Sequence, residues 1–160
     1  MTRTIRRRRL ESKTDYKTRL ALLKSGKPRL VVRKTNKYVI AQIVETNNAQ
    51  DKVVTGLTSK ALLSKGWPKE KSGSLKSIPA CYLTGSMLGN LAKSKIKDAD
   101  IILDIGMHRN IQKSRIYAVL KGCIDAGLKI PHNQELMPSL EEIRKNKNIN
   151  SIFDKLIKNM

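Results

Sequence analysis

PRLVVRKTNKYVIAQIVETNNAQDKVVTGLT, residues 28–58, is the stretch that decides the fold. It holds three apolar, β-branched runs, PRLVVRKT, YVIAQIVE and DKVVTGLT, with the turn-rich segments TNK and TNNAQ between them. Connections this short and polar suit antiparallel hairpins, so three strands in a meander are predicted. Side chains alternate along a strand. Leu30 and Val32 therefore share one face, and Arg29 and Arg33 share the other. The first face is predicted to be core and the second charged.

Working outward, Tyr16, Leu20 and Leu23 recur at helical spacing before Gly26 and Pro28, which stop a helix. Lys13, Lys17 and Lys24 lie away from those apolar residues, so the helix is short and basic. Downstream, residues 59–78 carry Gly66, Trp67, Pro68, a lysine cluster and a serine-flanked Gly73, and are predicted to form an exposed loop. PACYLTGSMLGNLAKSKI places Leu83, Met87 and Leu91 at helical steps, despite Gly85 and Gly89. ADIILDIG is a short apolar run bounded by acids and glycine, predicted to be a strand covered on both faces. Ile116, Val119, Leu120, Cys123, Ile124 and Leu128 then form an apolar helical stripe ending at Gly127.

Helix, three strands, helix, strand, helix is the order of an α/β sandwich with a mixed sheet. Residues 14–135 are predicted to form this domain. Residues 1–13 offer little apolar content beyond Ile5 and Leu10, too little to offset the entropy of ordering, and are expected to be a basic arm that stays disordered until bound. Residues 136–160 are polar with a weak apolar pattern at Ile152, Phe153 and Leu156, predicting a C-terminal extension, either an accessory helix or a flexible tail.

Charge narrows the function. The 160 residues include 33 Lys and Arg against 13 Asp and Glu, a formal net charge of +20. Residues 1–37 alone hold 14 basic and 2 acidic side chains. Such a field gathers polyanions, which makes nucleic acid or an anionic membrane surface the candidate partner. No apolar run approaches the roughly 18 to 20 residues of a spanning helix. The basic start leads into Glu11, Lys13 and Asp15, not into the apolar stretch of a signal peptide. The expected location is the cytoplasm.

Catalytic chemistry finds little support. Asp100 and Asp104 are the acids nearest a strand and are read as its caps, since four residues of strand, about 13 Å, hold them too far apart for one ion. His108 and His132 have no nucleophile beside them and are given contact or packing roles. GWPKEKSG lacks the ending of a phosphate loop. Cys81 and Cys123 lack metal-ligand spacing and are read as small buried hydrophobes. No cofactor, metal or small-molecule substrate is expected.

The basic residues form three clusters, at 6–9, 13–24 and 27–37. Arginine presents a planar fork that grips phosphate and stacks on bases. In the turn KTNKY, Lys34 and Lys37 are placed to hold phosphates, while Thr35, Asn36 and Tyr38 offer a hydroxyl, an amide and a ring to an unpaired base. One Trp, one Phe and four Tyr cannot make a broad stacking platform, so shape and backbone readout of a folded RNA is favoured.

TDYKTRLALLKSGKPRLVVRKTNKYVIAQIVE, ACYLTG, ADIILDIG and SRIYAVLKGCIDAGLKIPHN, with the arginine-rich start, resemble the large-subunit ribosomal protein eighteen family, over roughly residues 3–135. The GW of the middle loop, the IPH and the C-terminal extension resemble its archaeal form, related to the eukaryotic large-subunit protein five. The resemblance implies a non-enzymatic ribosomal component that binds 5S rRNA. It further implies that this component anchors 5S rRNA to the large-subunit rRNA in the central protuberance, beside neighbouring ribosomal proteins there. By position it implies RNA contacts from Arg3, Arg6, Arg7, Arg8 and Arg9, from Tyr16, Lys17 and Arg19, and from Arg29, Arg33, Lys34, Asn36, Lys37 and Tyr38. Lys13, Lys27 and Thr35 join the candidate RNA-binding set through the clusters they sit in. Ser72, Gly73 and Ser74 stand where archaeal relatives commonly have a Thr-Gly-Asn turn, so any contact made there is not carried over. The rival readings are a general RNA chaperone or nonspecific polyanion binder, and an RNA-processing enzyme using Asp100 or Asp104.

Overall fold

A computed structural model of the chain describes residues 4–48, 50–96, 99–145 and 147–158. After a single turn of helix, α1 (Arg7–Leu10), and the basic helix α2 (Tyr16–Lys24), the meander appears as predicted: β1 (Arg29–Lys34), β2 (Val39–Asn47) and β3 (Gln50–Thr58). Asn48 turns the second hairpin at φ +48°, a conformation that asparagine tolerates better than most residues. A register shift between Ile43 and Val44 marks a bulge in β2. β4 (Ile102–Asp104) pairs parallel to β1, giving the mixed order β3-β2-β1-β4.

Leu30, Val32, Ala41 and Ile43 are fully buried on one sheet face. Against that face pack α4 (Ile78–Lys93) and α5 (Arg115–Asp125), the two helices predicted from apolar periodicity. These helices approach more closely than side chains would allow. A Cβ on Gly85 would collide with the Val119 carbonyl, and one on Gly122 with the Tyr82 carbonyl. Gly85, which weakens the helical pattern as a sequence, is the residue that lets α4 meet α5.

Two expectations are corrected. Residues 59–78 are no exposed loop: α3 (Ala61–Ser64) and a 3-10 turn over Lys69–Ser74 bury Leu62, Trp67 and Leu75. The Trp67 indole donates to the Lys71 carbonyl at 3.1 Å, so the lysines stay outside while the ring closes the core. β4 is not covered on both faces either. It is a three-residue edge strand whose Ile102 and Leu103 are half-buried, and only the preceding Ile101 is fully enclosed.

The C-terminal extension takes the accessory-helix form. Ser139 and Glu142 make a capping box that starts α6 (Leu140–Arg144). In α7 (Lys147–Lys158), Ile149, Phe153 and Leu156 recur at steps of four and three and are all buried. Phe153 meets Tyr82 of α4 with ring centroids 5.7 Å apart, tilted by 58°. Cys81 and Cys123 are buried, as expected, and burial pushes both thiols up to about 12.

Candidate nucleic-acid interface

Asp104 ends β4 beneath the sheet face opposite α4 and α5. Its carboxylate accepts from Arg29 Nη1 at 2.9 Å, from Arg33 Nη2 at 2.8 Å and from the Gly106 amide at 2.9 Å. Arg29 Nη2 donates to Asp51 at 2.7 Å and to Thr46 at 3.0 Å, and Arg19 of α2 donates to the second oxygen of Asp51 at 2.9 Å. Five charges thus alternate in one chain, Arg33, Asp104, Arg29, Asp51, Arg19, joining β4, β1, β3 and α2. It locks α2 across the sheet.

The network sorts the predicted arginines. Arg29, expected among the RNA-facing residues, is 1% exposed, and its guanidinium pairs with two carboxylates inside the fold. Arg19 and Arg33 sit at the ends of the network, with side chains 35% and 39% exposed, and keep donors toward solvent. Lys17 is exposed on α2 and Tyr16 half-buried. Asp15 caps α2 by accepting from the Lys17 and Thr18 amides, and hydrogen bonds from Thr18 hold its carboxyl below the usual range.

The arm is folded back on α2. The Arg6 guanidinium lies 4.7 Å over the centre of the Tyr16 ring, and Arg8 donates to Thr14 at 2.9 Å. Glu11 accepts from Lys13 at 2.7 Å and faces Arg7 at 3.4 Å. Arg6, Arg7, Arg8, Arg9 and Lys13 are all exposed, and surface pairs of this kind hold only weakly. Arg3 lies outside the described residues.

At the hairpin tip, the Thr35 hydroxyl and amide both donate to the Tyr38 carbonyl, at 2.6 and 2.9 Å, and the hydroxyl accepts the Tyr38 amide at 3.0 Å. Thr35 therefore closes the turn, leaving Lys34, Asn36 and Lys37 exposed. One face of Tyr38 already carries the Lys60 ammonium, 4.7 Å from the ring centre. Lys27 pairs with Asp100 at 3.1 Å.

His108 accepts the Lys34 backbone amide on Nε2 at 3.1 Å, pinning the turn after β4 to the end of β1. Burial, then the nearby charges of Lys34 and Arg33, hold its pKa below the usual value. Asp51, Lys60 and His108 escape a sequence reading because their partners lie a strand or more away. The only hint in the sequence is that Asp51 heads the third apolar run, DKVVTGLT. Among the described residues no three His, Cys, Asp or Glu side chains gather as a metal site, and no helix is long and apolar enough to cross a membrane. Asp100 and Asp104 are held by different cations rather than facing one another.

The sequence matches the model of a family described as ribosomal large subunit proteins 60S L5 and 50S L18, over residues 2–102 and 91–133. A large ribosomal subunit protein uL18 of Korarchaeum cryptofilum is 46% identical over 150 residues, covering 94% of this chain and 74% of that one. Proteins of the same name from Caldivirga maquilingensis and Aeropyrum pernix are 45% and 41% identical. Each of these matches covers 86% of this chain, but only 64% and 63% of the respective relative.

Proposed function

Because the chain belongs to the family of ribosomal large-subunit proteins 60S L5 and 50S L18, in its archaeal type, we propose that it binds 5S rRNA and anchors it to the large-subunit rRNA in the central protuberance. It is a structural ribosomal protein and not an enzyme. The observation that carries the finer reading is the contrast within the basic clusters. Arg29 is neutralised inside the fold, while Arg6 to Arg9, Arg19, Arg33, Lys34 and Lys37 keep their cationic groups at the surface around it.

A frame that fixes the directions of several cations reads the spacing of phosphates on a folded RNA, which a flexible polycation does not. The arm adds forks that settle along the backbone once RNA displaces weak surface contacts such as that of Arg7 with Glu11. Neighbouring proteins of the protuberance complete the set of partners, in the ribosomes of the cytoplasm.

The test is affinity for 5S rRNA and for a transfer RNA across a salt series. A preference for 5S rRNA that persists at high salt supports the reading. Equal affinities that collapse together would identify a nonspecific polyanion binder.

A further inference from the structure

Beyond the carboxyl ends of the parallel strands β1 and β4 lies a cleft of about 450 Å³, lined by Lys34, Ile78, Met107, Arg109, Ile111 and Arg115. Ligands of α/β sheets collect in such places, where the chain leaves adjacent strands in different directions. Here β1 turns into the hairpin, while β4 runs into the irregular segment 105–114 and then α5.

Three features set the cleft apart. First, Lys34, Arg109 and Arg115 have no carboxylate partner among the described residues, and no acid lines the cleft. Among the described residues, Arg19, Lys27, Arg29, Arg33 and Lys113 each pair with Asp or Glu, whereas many surface cations such as Lys17 and Lys37 do not; what is particular here is that three such cations converge on one cleft. Second, Met107 and Ile111 are 52% and 58% exposed, large apolar side chains beside unpaired cations. Third, the Ser114 hydroxyl is buried without a hydrogen-bond partner at the start of α5, whose first amides it does not cap. That helix end also carries partial positive charge.

Met107 also borders the space lined by Arg8, Lys13, Arg19 and Arg33, so the cleft continues the surface formed by the arm and α2. His108, bonded to the Lys34 amide, holds the two parts in register.

We propose that this cleft seats one unpaired RNA nucleotide, its phosphate on Arg109, Arg115 and the start of α5, its base on Met107 and Ile111. The inference rests on the reading that the partner is ribosomal RNA, and it extends the contact surface to residues outside the three basic clusters. An acidic protein segment would satisfy the cations but would leave the two apolar side chains uncovered. A nucleotide covers both, since every base has an apolar face and every linkage a charge.

The experiment titrates the full chain with hexauridylate and follows the methyl signals of Met107 and Ile111 by NMR, together with the ring of Tyr16. Saturable shifts at both methyls are expected. In the Arg109→Gln/Arg115→Gln variant those shifts should need a several-fold higher concentration, and the log–log salt slope should become shallower by about 0.7 for each phosphate no longer neutralised. Ile111→Glu, at an exposed position, is a second variant that retains the fold and should weaken the same shifts. Movement of Tyr16 alone would overturn the cleft while leaving the RNA reading intact. No shift anywhere, repeated with 5S rRNA, would overturn the RNA reading. Equal shifts with hexaglutamate would overturn the nucleotide in favour of an acidic protein segment.

Discussion

Arg29 and Asp104, 75 residues apart in sequence, meet at 2.9 Å with side chains 2% and 8% exposed. Each has a second partner of opposite charge, Asp51 on the arginine and Arg33 on the aspartate. A buried pair of this kind adds little net stability over an apolar pair, but losing one member strands the other in a low-dielectric interior.

Asp104→Asn is therefore expected to destabilise the fold by about 3–5 kcal/mol, because, among the described residues, Arg29 loses one of its two carboxylates and Arg33 its only one. Urea unfolding followed by circular dichroism measures the loss. A midpoint equal to that of the unmodified chain would mean that Asp51 alone suffices.

The close approach of α4 and α5 makes a second demand. Gly85→Ala places a methyl against the Val119 carbonyl, and backbone cannot swing aside as a flexible side chain does. A cost of about 1–3 kcal/mol is expected from overpacking, even though alanine is the better helix former. If Gly85→Ala proved stabilising in thermal unfolding, the helices would not be in backbone contact.

The strands and the two central helices can be read in advance because the information is local: Leu30 and Val32 alternate with Arg29 and Arg33, and Ile116 to Leu128 repeat at helical steps. What cannot be read depends on pairs brought together by the topology. Alternation correctly sets Arg29 opposite Leu30, yet its burial follows from Asp51 and Asp104, which arrive from β3 and β4. Trp67 sits among lysines and turn formers, and its enclosure by short helical turns has no periodic signature. The candidate site is visible in the sequence as charge, but which arginines stay at the surface is decided by where the acids fall.

Phe153→Ala tests whether the extension belongs to the core. The ring is 1% exposed and packs on Tyr82, so its removal is expected to cost about 3–5 kcal/mol. A tail merely resting on the domain would give a change within about 0.5 kcal/mol, as surface substitutions do. Denaturant midpoints distinguish the two.

His108 gives the fold a pH dependence with a definite sign. Its folded pKa lies below 6.5, so the neutral ring is the form the native state favours. Above 6.5 both folded and unfolded chains hold it neutral, and its contribution is complete. As pH falls below 6.5 the unfolded chain takes up a proton first, and stability declines until the folded ring protonates too. His108→Gln keeps an acceptor for the Lys34 amide without the titration, so its unfolding midpoint should fall less between pH 7 and 5.5. Parallel curves for the two proteins would place the pH dependence elsewhere.

The arm separates binding from folding. α1 buries nothing, and the arm meets α2 at the surface, with Arg6 stacked on Tyr16. Deleting residues 1–13 should therefore leave the unfolding free energy, measured in urea, within about 0.5 kcal/mol of the full chain's. Affinity for 5S rRNA should fall, and its log–log salt slope should become shallower by about 0.9 for each duplex phosphate the arm had neutralised, about 3.6 if Arg6 to Arg9 each hold one. An unchanged slope would mean that the arm never reaches the RNA backbone. A lowered midpoint would mean instead that the arm is part of the domain, and that Arg6 serves Tyr16 before it serves RNA.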